Sequence, residues 1–226
     1  MAQEGGPVVL VFGEDANDTK AIAALIEALC PELIGRVYMR REPLLLVKGV
    51  KVNEVAKKAE KAARALTAEK AKGRVVCIFL HEDADTFEPG HARLSLEKEN
   101  ALRKHGHEVH AVTPAWEIEA WWLLWPDAVA SYRESWRSPR AYVGRRVGII
   151  EDPKKELRRL LRPANARTKF KNYEEMDSPA IAAIVRDKGL ANSPQGQSES
   201  YDRFRRSVEE CCRSLRNRDH MNSFDR

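Results

Sequence analysis

Two nearly continuous apolar runs, PVVLVFGE at Pro7–Glu14 and RVVCIFL at Arg74–Leu80, constrain this chain more than any other feature. A strand with one face in water alternates apolar and polar residues. A run that is apolar at almost every position fits a strand buried on both faces, as in a parallel sheet covered by helices. Parallel neighbours need crossover connections, and the residues between the runs supply them. After the first run, Asn17 or Asp18 can cap a helix whose stripe is Ile22, Leu25, Ile26 and Leu29, and Pro31 stops it. Arg36–Arg40 and Leu44–Val47 read as short strands broken by Pro43. Val52–Lys72 places Val55, Ala59, Ala62, Ala63 and Leu66 at helical spacing and is an amphipathic helix closed by Gly73. Arg93–His105 is a further helix, Glu108–Thr113 a last strand, and Ala115–Trp125 an aromatic-rich helix ended by Pro126.

Strands alternating with helices predict an α/β fold: a Rossmann-like, mostly parallel sheet flanked by helices, with right-handed crossovers. Beyond Ser131 the pattern changes to short helical pieces and basic residues. The expected division is residues 1–130 as the sheet domain and 131–226 as a helical, basic segment packed on it. Asn192–Ser200 reads as a mobile loop, Asp202–Leu215 as the final helix, and the residues from Arg216 onward as frayed. Trp116, Trp121, Trp122 and Trp125 read as a domain-joining core rather than a base-stacking platform.

Open parallel sheets hold their ligands beyond the carboxyl ends of the strands. Here the first run ends in Glu14 and Asp15, and the second runs into Glu82, Asp83 and Asp85. If those strands are neighbours, their carboxylates converge and repel one another unless a cation sits among them. Ligation by oxygen alone suits Mg²⁺ or Mn²⁺ rather than zinc. Glu117 and Glu119 are further candidate metal ligands, although i and i+2 on one helix point about 200° apart, so both serve one site only if the helix starts between them. His81 adjoins the acidic run and would modulate it. There is no GxSxG, Walker A or HExxH pattern, so serine and P-loop chemistry lack support.

VFGEDANDTKAIAALIEAL resembles the first Toprim motif, a glutamate at a strand end followed by a helix, although here the glycine precedes the glutamate. RVVCIFLHEDADT resembles the second, an Asp-x-Asp after a later strand. PAWEIEAWWLLW and the downstream Asp152-Pro153-Lys154 are similar to segments of RloB-like proteins, which with OLD-type Toprim nucleases occur in bacterial phage-defence loci. The resemblance implies a Toprim-like domain in which Glu14 is a general acid/base or metal-orienting carboxylate. It implies Asp83 and Asp85 as ligands of Mg²⁺ or Mn²⁺.

The net charge is +5, and basic residues crowd positions 133–171. Arg158, Arg159, Arg162, Lys169 and Lys171 are candidate phosphate contacts; the competing reading is a solvated face with its counter-charges. The leading expectation is a Mg²⁺-dependent nuclease acting on DNA or RNA, an effector of antiviral defence. The alternative is a non-catalytic nucleic-acid-binding or regulatory subunit that docks an ATPase partner. Another phosphotransfer reaction, such as nucleotidyl transfer, would use the same site, and homo-oligomerisation stays open. The apolar runs are too short to span a bilayer. The four cysteines form no CxxC pair, and Cys211 and Cys212 are adjacent, an awkward arrangement for a stapled scaffold, so core thiols in a reducing cytoplasm are expected.

Overall fold

The structure, a computed structural model, describes residues 7–40, 52–72, 75–164 and 169–224. Strands β1 (Val8–Phe12), β2 (Val37–Arg40), β3 (Val75–His81) and β4 (His110–Val112) form one sheet in the order β2-β1-β3-β4, with every neighbouring pair parallel. The strand-like run Leu44–Val47 lies outside the described residues.

Alternation along the two central strands shows why they carry no polar residue before His81 at the end of β3. Val9, Val11, Cys77 and Phe79 point to one face and pack with helix α1 (Ala16–Leu29). Leu10, Phe12, Ile78 and Leu80 point to the other and pack with Ala59, Ala62, Ala63 and Leu66 of helix α2 (Val52–Lys72). The first two crossovers, α1 and α2, therefore lie on opposite faces, and the strand order reverses between β1 and β3, where open α/β sheets place their ligands.

Helix α3 (Gly90–Arg103) follows β3. The expected helix over Ala115–Trp125 is instead a single turn, α4 (Glu119–Trp122), and Pro126 starts helix α5 (Pro126–Tyr132) rather than ending one. Proline at the first helical position loses no hydrogen bond, so it opens a helix as readily as it terminates one. Helices α6 (Pro153–Leu161), α7 (Ser178–Asp187) and α8 (Glu199–Phe224) complete the chain. Helix α8 starts earlier and runs further than Asp202–Leu215, through residues expected to fray.

Helix α7 lies against α1, and α8 against β3 and β4. Trp121, Trp122 and Trp125 are at most 1% exposed, and Tyr201 and Phe204 of α8 pack on the same cluster, so these three form the expected joining core; Trp116, expected with them, is only partly buried and lies outside it. Asn192–Ser200 is tied down rather than loose. The N–H of Gln195 bonds the carbonyl of Leu124, that of Gln197 bonds Arg145, and Ser198 and Ser200 are buried. Its polar sequence conceals these bonds because the partners are distant backbone atoms. The cysteines also differ from expectation: Cys30 is joined to Cys212 and Cys77 to Cys211, each pair with Cα atoms 6.0 Å apart. The adjacent cysteines staple two different elements to α8, which removes the awkwardness of their pairing with each other.

Candidate functional site

The site begins where β1 ends. A Cβ on Gly13 would collide with the Thr19 hydroxyl, so glycine lets the chain turn tightly into α1. Asp15, not Asn17 or Asp18, caps that helix, accepting the N–H groups of Asn17 and Asp18 at 2.6 and 2.9 Å. Relieved of capping, Asp18 turns inward and is 8% exposed. Glu14 accepts the backbone N–H of Asp83 at 2.7 Å, which joins the ends of β1 and β3.

Beyond β3 the chain stays paired with the segment after β4. The N–H groups of Glu82, Ala84 and Asp85 bond the carbonyls of Val112, Pro114 and Trp116, and the N–H of Trp116 returns to Thr86. Asp85 and Trp116 both adopt positive φ, at 47° and 58°. His81 is buried between two carboxylates, with Nε2 3.2 Å from Asp83 and Nδ1 3.7 Å from Asp18. Asp18, His81 and Asp83 bring one ligand atom each within 4.8 Å of one another.

Electrostatics follow from this crowding. Burial pushes the Asp18 carboxyl up to about 7; His81 opposes the shift, and Asp83, Asp15 and Glu14 add to it. Burial alone would lower the pKa of His81, but its hydrogen bond to Asp83 and the charges of Asp83, Asp18 and Glu14 outweigh that and raise it. Beneath lies a buried ion pair, Lys98 Nζ to Glu82 Oε2 at 2.9 Å. Burial lowers the Lys98 pKa against the pull of Glu82.

Glu117 and Glu119 resolve as the sequence geometry requires: α4 starts at Glu119, so the two are not constrained to opposite helix faces. Lys154, in the first turn of α6 behind the Asp152 cap, reaches both, at 3.5 and 3.8 Å, and also Glu175 at 2.8 Å. Glu119 is 3% exposed and accepts the Tyr173 hydroxyl at 3.1 Å. Burial lifts its pKa to about 8 despite Lys154, with Glu117 and Asp83 adding to the shift. Burial also raises the pKa of Glu117, with Lys154 opposing and Asp83 contributing, which places Glu117 in the electrostatic neighbourhood of Asp83. Lys154 is held charged: burial opposes this, but the Glu175 hydrogen bond and the charges of Glu119 and Glu117 prevail.

The structure therefore joins Glu14 to Asp83, and Glu117 to Glu119 through Lys154, and it adds Asp18, His81 and Lys98. Asp18 was legible only as an alternative helix cap, and nothing marks Lys98 beyond its place in an amphipathic helix. Asp85 lines a neighbouring cleft of about 560 Å³ with Trp116, Glu117, Glu151, Asp152 and Lys155. Another cleft, of about 440 Å³, lies at the amino-terminal ends of β3 and β4 and holds none of these carboxylates.

These residues fit a hard divalent cation. The donors are mainly carboxylate oxygens, and Glu117 Oε2 is buried with no hydrogen-bond partner among the described residues. Burial and surrounding negative charge make Asp18 hold its proton near neutrality, an electrostatic demand that a divalent ion meets.

The basic segment divides into two groups. Arg158 bonds the carbonyl of Tyr173 and the carboxylate of Glu174, and Arg159 grips Glu156 with two hydrogen bonds. Arg162, Lys169 and Lys171 are exposed, and the two lysines line an open surface cleft with Phe170. Among the described residues no helix is long and apolar enough to cross a membrane. No family model, curated protein or solved structure matches the chain.

Proposed function

We propose that this chain is a Mg²⁺- or Mn²⁺-dependent nuclease that hydrolyses phosphodiesters of DNA or RNA, and that it acts in the cytoplasm as an effector of antiviral defence. The observation that carries the reading is the hydrogen bond from the backbone N–H of Asp83 to the Glu14 carboxylate, which ties the acidic ends of β1 and β3 together where the strand order reverses. Asp83, Glu14 and Glu117 would hold the ion, with Asp85 at the edge towards the neighbouring cleft. A divalent ion there supplies Lewis-acid polarisation of the phosphodiester and activation of water. His81 holds the Asp83 carboxylate in place through its 3.2 Å contact. Lys154 orients Glu117 and Glu119 and carries a positive charge beside the crevice, where negative charge develops during phosphoryl transfer. Exposed Arg162, Lys169 and Lys171 would contact the nucleic-acid backbone. The defence role rests on the Toprim-like motifs of the sequence.

The test is cleavage of single-stranded DNA, duplex DNA and structured RNA with Mg²⁺, Mn²⁺ or chelator, comparing the protein with Asp83→Asn. Metal-dependent cleavage that disappears in the variant is expected. Cleavage that survives chelation, or persists in Asp83→Asn, would overturn the mechanism. Binding without cleavage in any condition would favour a regulatory subunit that docks an ATPase.

A further inference from the structure

We infer that Trp116 and Phe87 form a stacking platform for an unpaired nucleobase, so that the site takes single-stranded nucleic acid; this rests on the nuclease reading above and names its substrate class. Four of the five tryptophans are core residues, at most 5% exposed, and each indole N–H has a partner. Trp116 alone departs from this pattern. It is only partly buried and lines the cleft beside Asp85 and Glu117, while its Nε1, on the buried edge of the ring, has no hydrogen-bond partner among the described residues.

Its backbone makes the choice of residue more telling. Two hydrogen bonds, Trp116 N–H to Thr86 at 3.0 Å and Asp85 N–H to Trp116 at 3.2 Å, hold it at φ 58°. Bulky L residues rarely adopt that conformation, which glycine accepts without strain. An indole at such a position serves something other than the turn. Phe87 is 43% exposed and meets the indole edge-on at 5.5 Å, bracing the ring at the cleft. Lys155 lines the same cleft and supplies a cation for a phosphate. Stacking on an aromatic face tolerates any base, and a duplex, whose bases are already stacked inside, presents no such face.

The test is fluorescence anisotropy in Ca²⁺ with three labelled probes: a mixed-sequence single strand, the same strand with abasic sites, and its duplex. Trp116→Ala should weaken single-strand binding by about tenfold or more, and Trp116→Phe should restore it to within about threefold. The wild-type protein should bind the abasic strand about as weakly as Trp116→Ala binds the intact one, and duplex binding should be unmoved. Phe87→Ala should give an intermediate loss. Unchanged affinity in Trp116→Ala, an equal loss for all three probes, or no single-strand binding by wild type would overturn the proposal. If Trp116→Ala melts early, the abasic comparison in wild type and Phe87→Ala decide. A protein that shows this contrast but never cleaves keeps the platform and loses the hydrolysis. One that cleaves without the contrast does the reverse.

Discussion

The carboxylate of Glu14 accepts the backbone N–H of Asp83 at 2.7 Å, so a residue at the end of β1 sets the course of the chain as it leaves β3. On the proposed reading Glu14 would both contribute an oxygen to the ion and aim its neighbour. Glu14→Ala should weaken Mn²⁺ binding by about 10- to 100-fold, the usual effect of losing a group that orients a ligand. Asp83→Asn should abolish binding. Calorimetric titration reads both, and unchanged Mn²⁺ affinity in Glu14→Ala would remove it from the site.

Glu119 sets a pH dependence of stability. Its folded pKa, about 8, lies above the ordinary 4.5, so the native state holds the proton more tightly than the unfolded chain does. The stabilisation is complete below pH 4.5 and is lost as pH rises through about 8. Glu119→Gln removes this titration. Its melting temperature should fall less than that of wild type between about pH 5 and about pH 9, and parallel profiles would show that Glu119 titrates normally.

The basic residues should behave as two classes. Arg162→Ala, Lys169→Ala and Lys171→Ala together should weaken nucleic-acid binding across sequences and lower the salt slope by roughly one for each phosphate left without its cation. Arg158→Ala should leave the slope alone and lower the melting temperature, because its guanidinium bonds Tyr173 and Glu174. A reduced slope in Arg158→Ala instead would show that the guanidinium leaves these partners for phosphate.

The cysteine pairs give a redox prediction. Each closes a long loop, so Cys211→Ser should cost about 2–4 kcal/mol in denaturant titration without reductant. With reductant, wild type and variant should converge. A wild type indifferent to reductant would mean that the sulfurs are thiols in the isolated protein, the state a reducing cytoplasm maintains.

Most of the sheet was legible because burial on both faces leaves an unmistakable apolar run, and α2 because alanine and leucine recur at helical spacing. Glu14 and Asp83 were legible for the same reason: each lies within three residues of the end of such a run. The segment from Ala115 was misleading. Its composition favours helix, but tertiary hydrogen bonds hold Trp116 at positive φ and reduce the helix to one turn. Asp18 escaped notice because Asp15 took the capping role, which no local pattern decides between neighbouring acids. The cysteine pairing and the anchoring of Asn192–Ser200 depend on partners far away in sequence, so local periodicity carries no trace of them.

The tryptophan hydrogen bonds make the molecule indivisible. Trp121 donates to Ser200, Trp122 to Ser178, Trp125 to the carbonyl of Leu190, and Trp136 to that of Lys171. The first three lie before residue 130 and every acceptor lies after it. A fragment ending at residue 130 would expose a sticky aromatic face and leave those three donors without acceptors, and would be expected to aggregate rather than fold. Swapping in the carboxyl-terminal half of another protein would fail in the same way unless it brought matching acceptors.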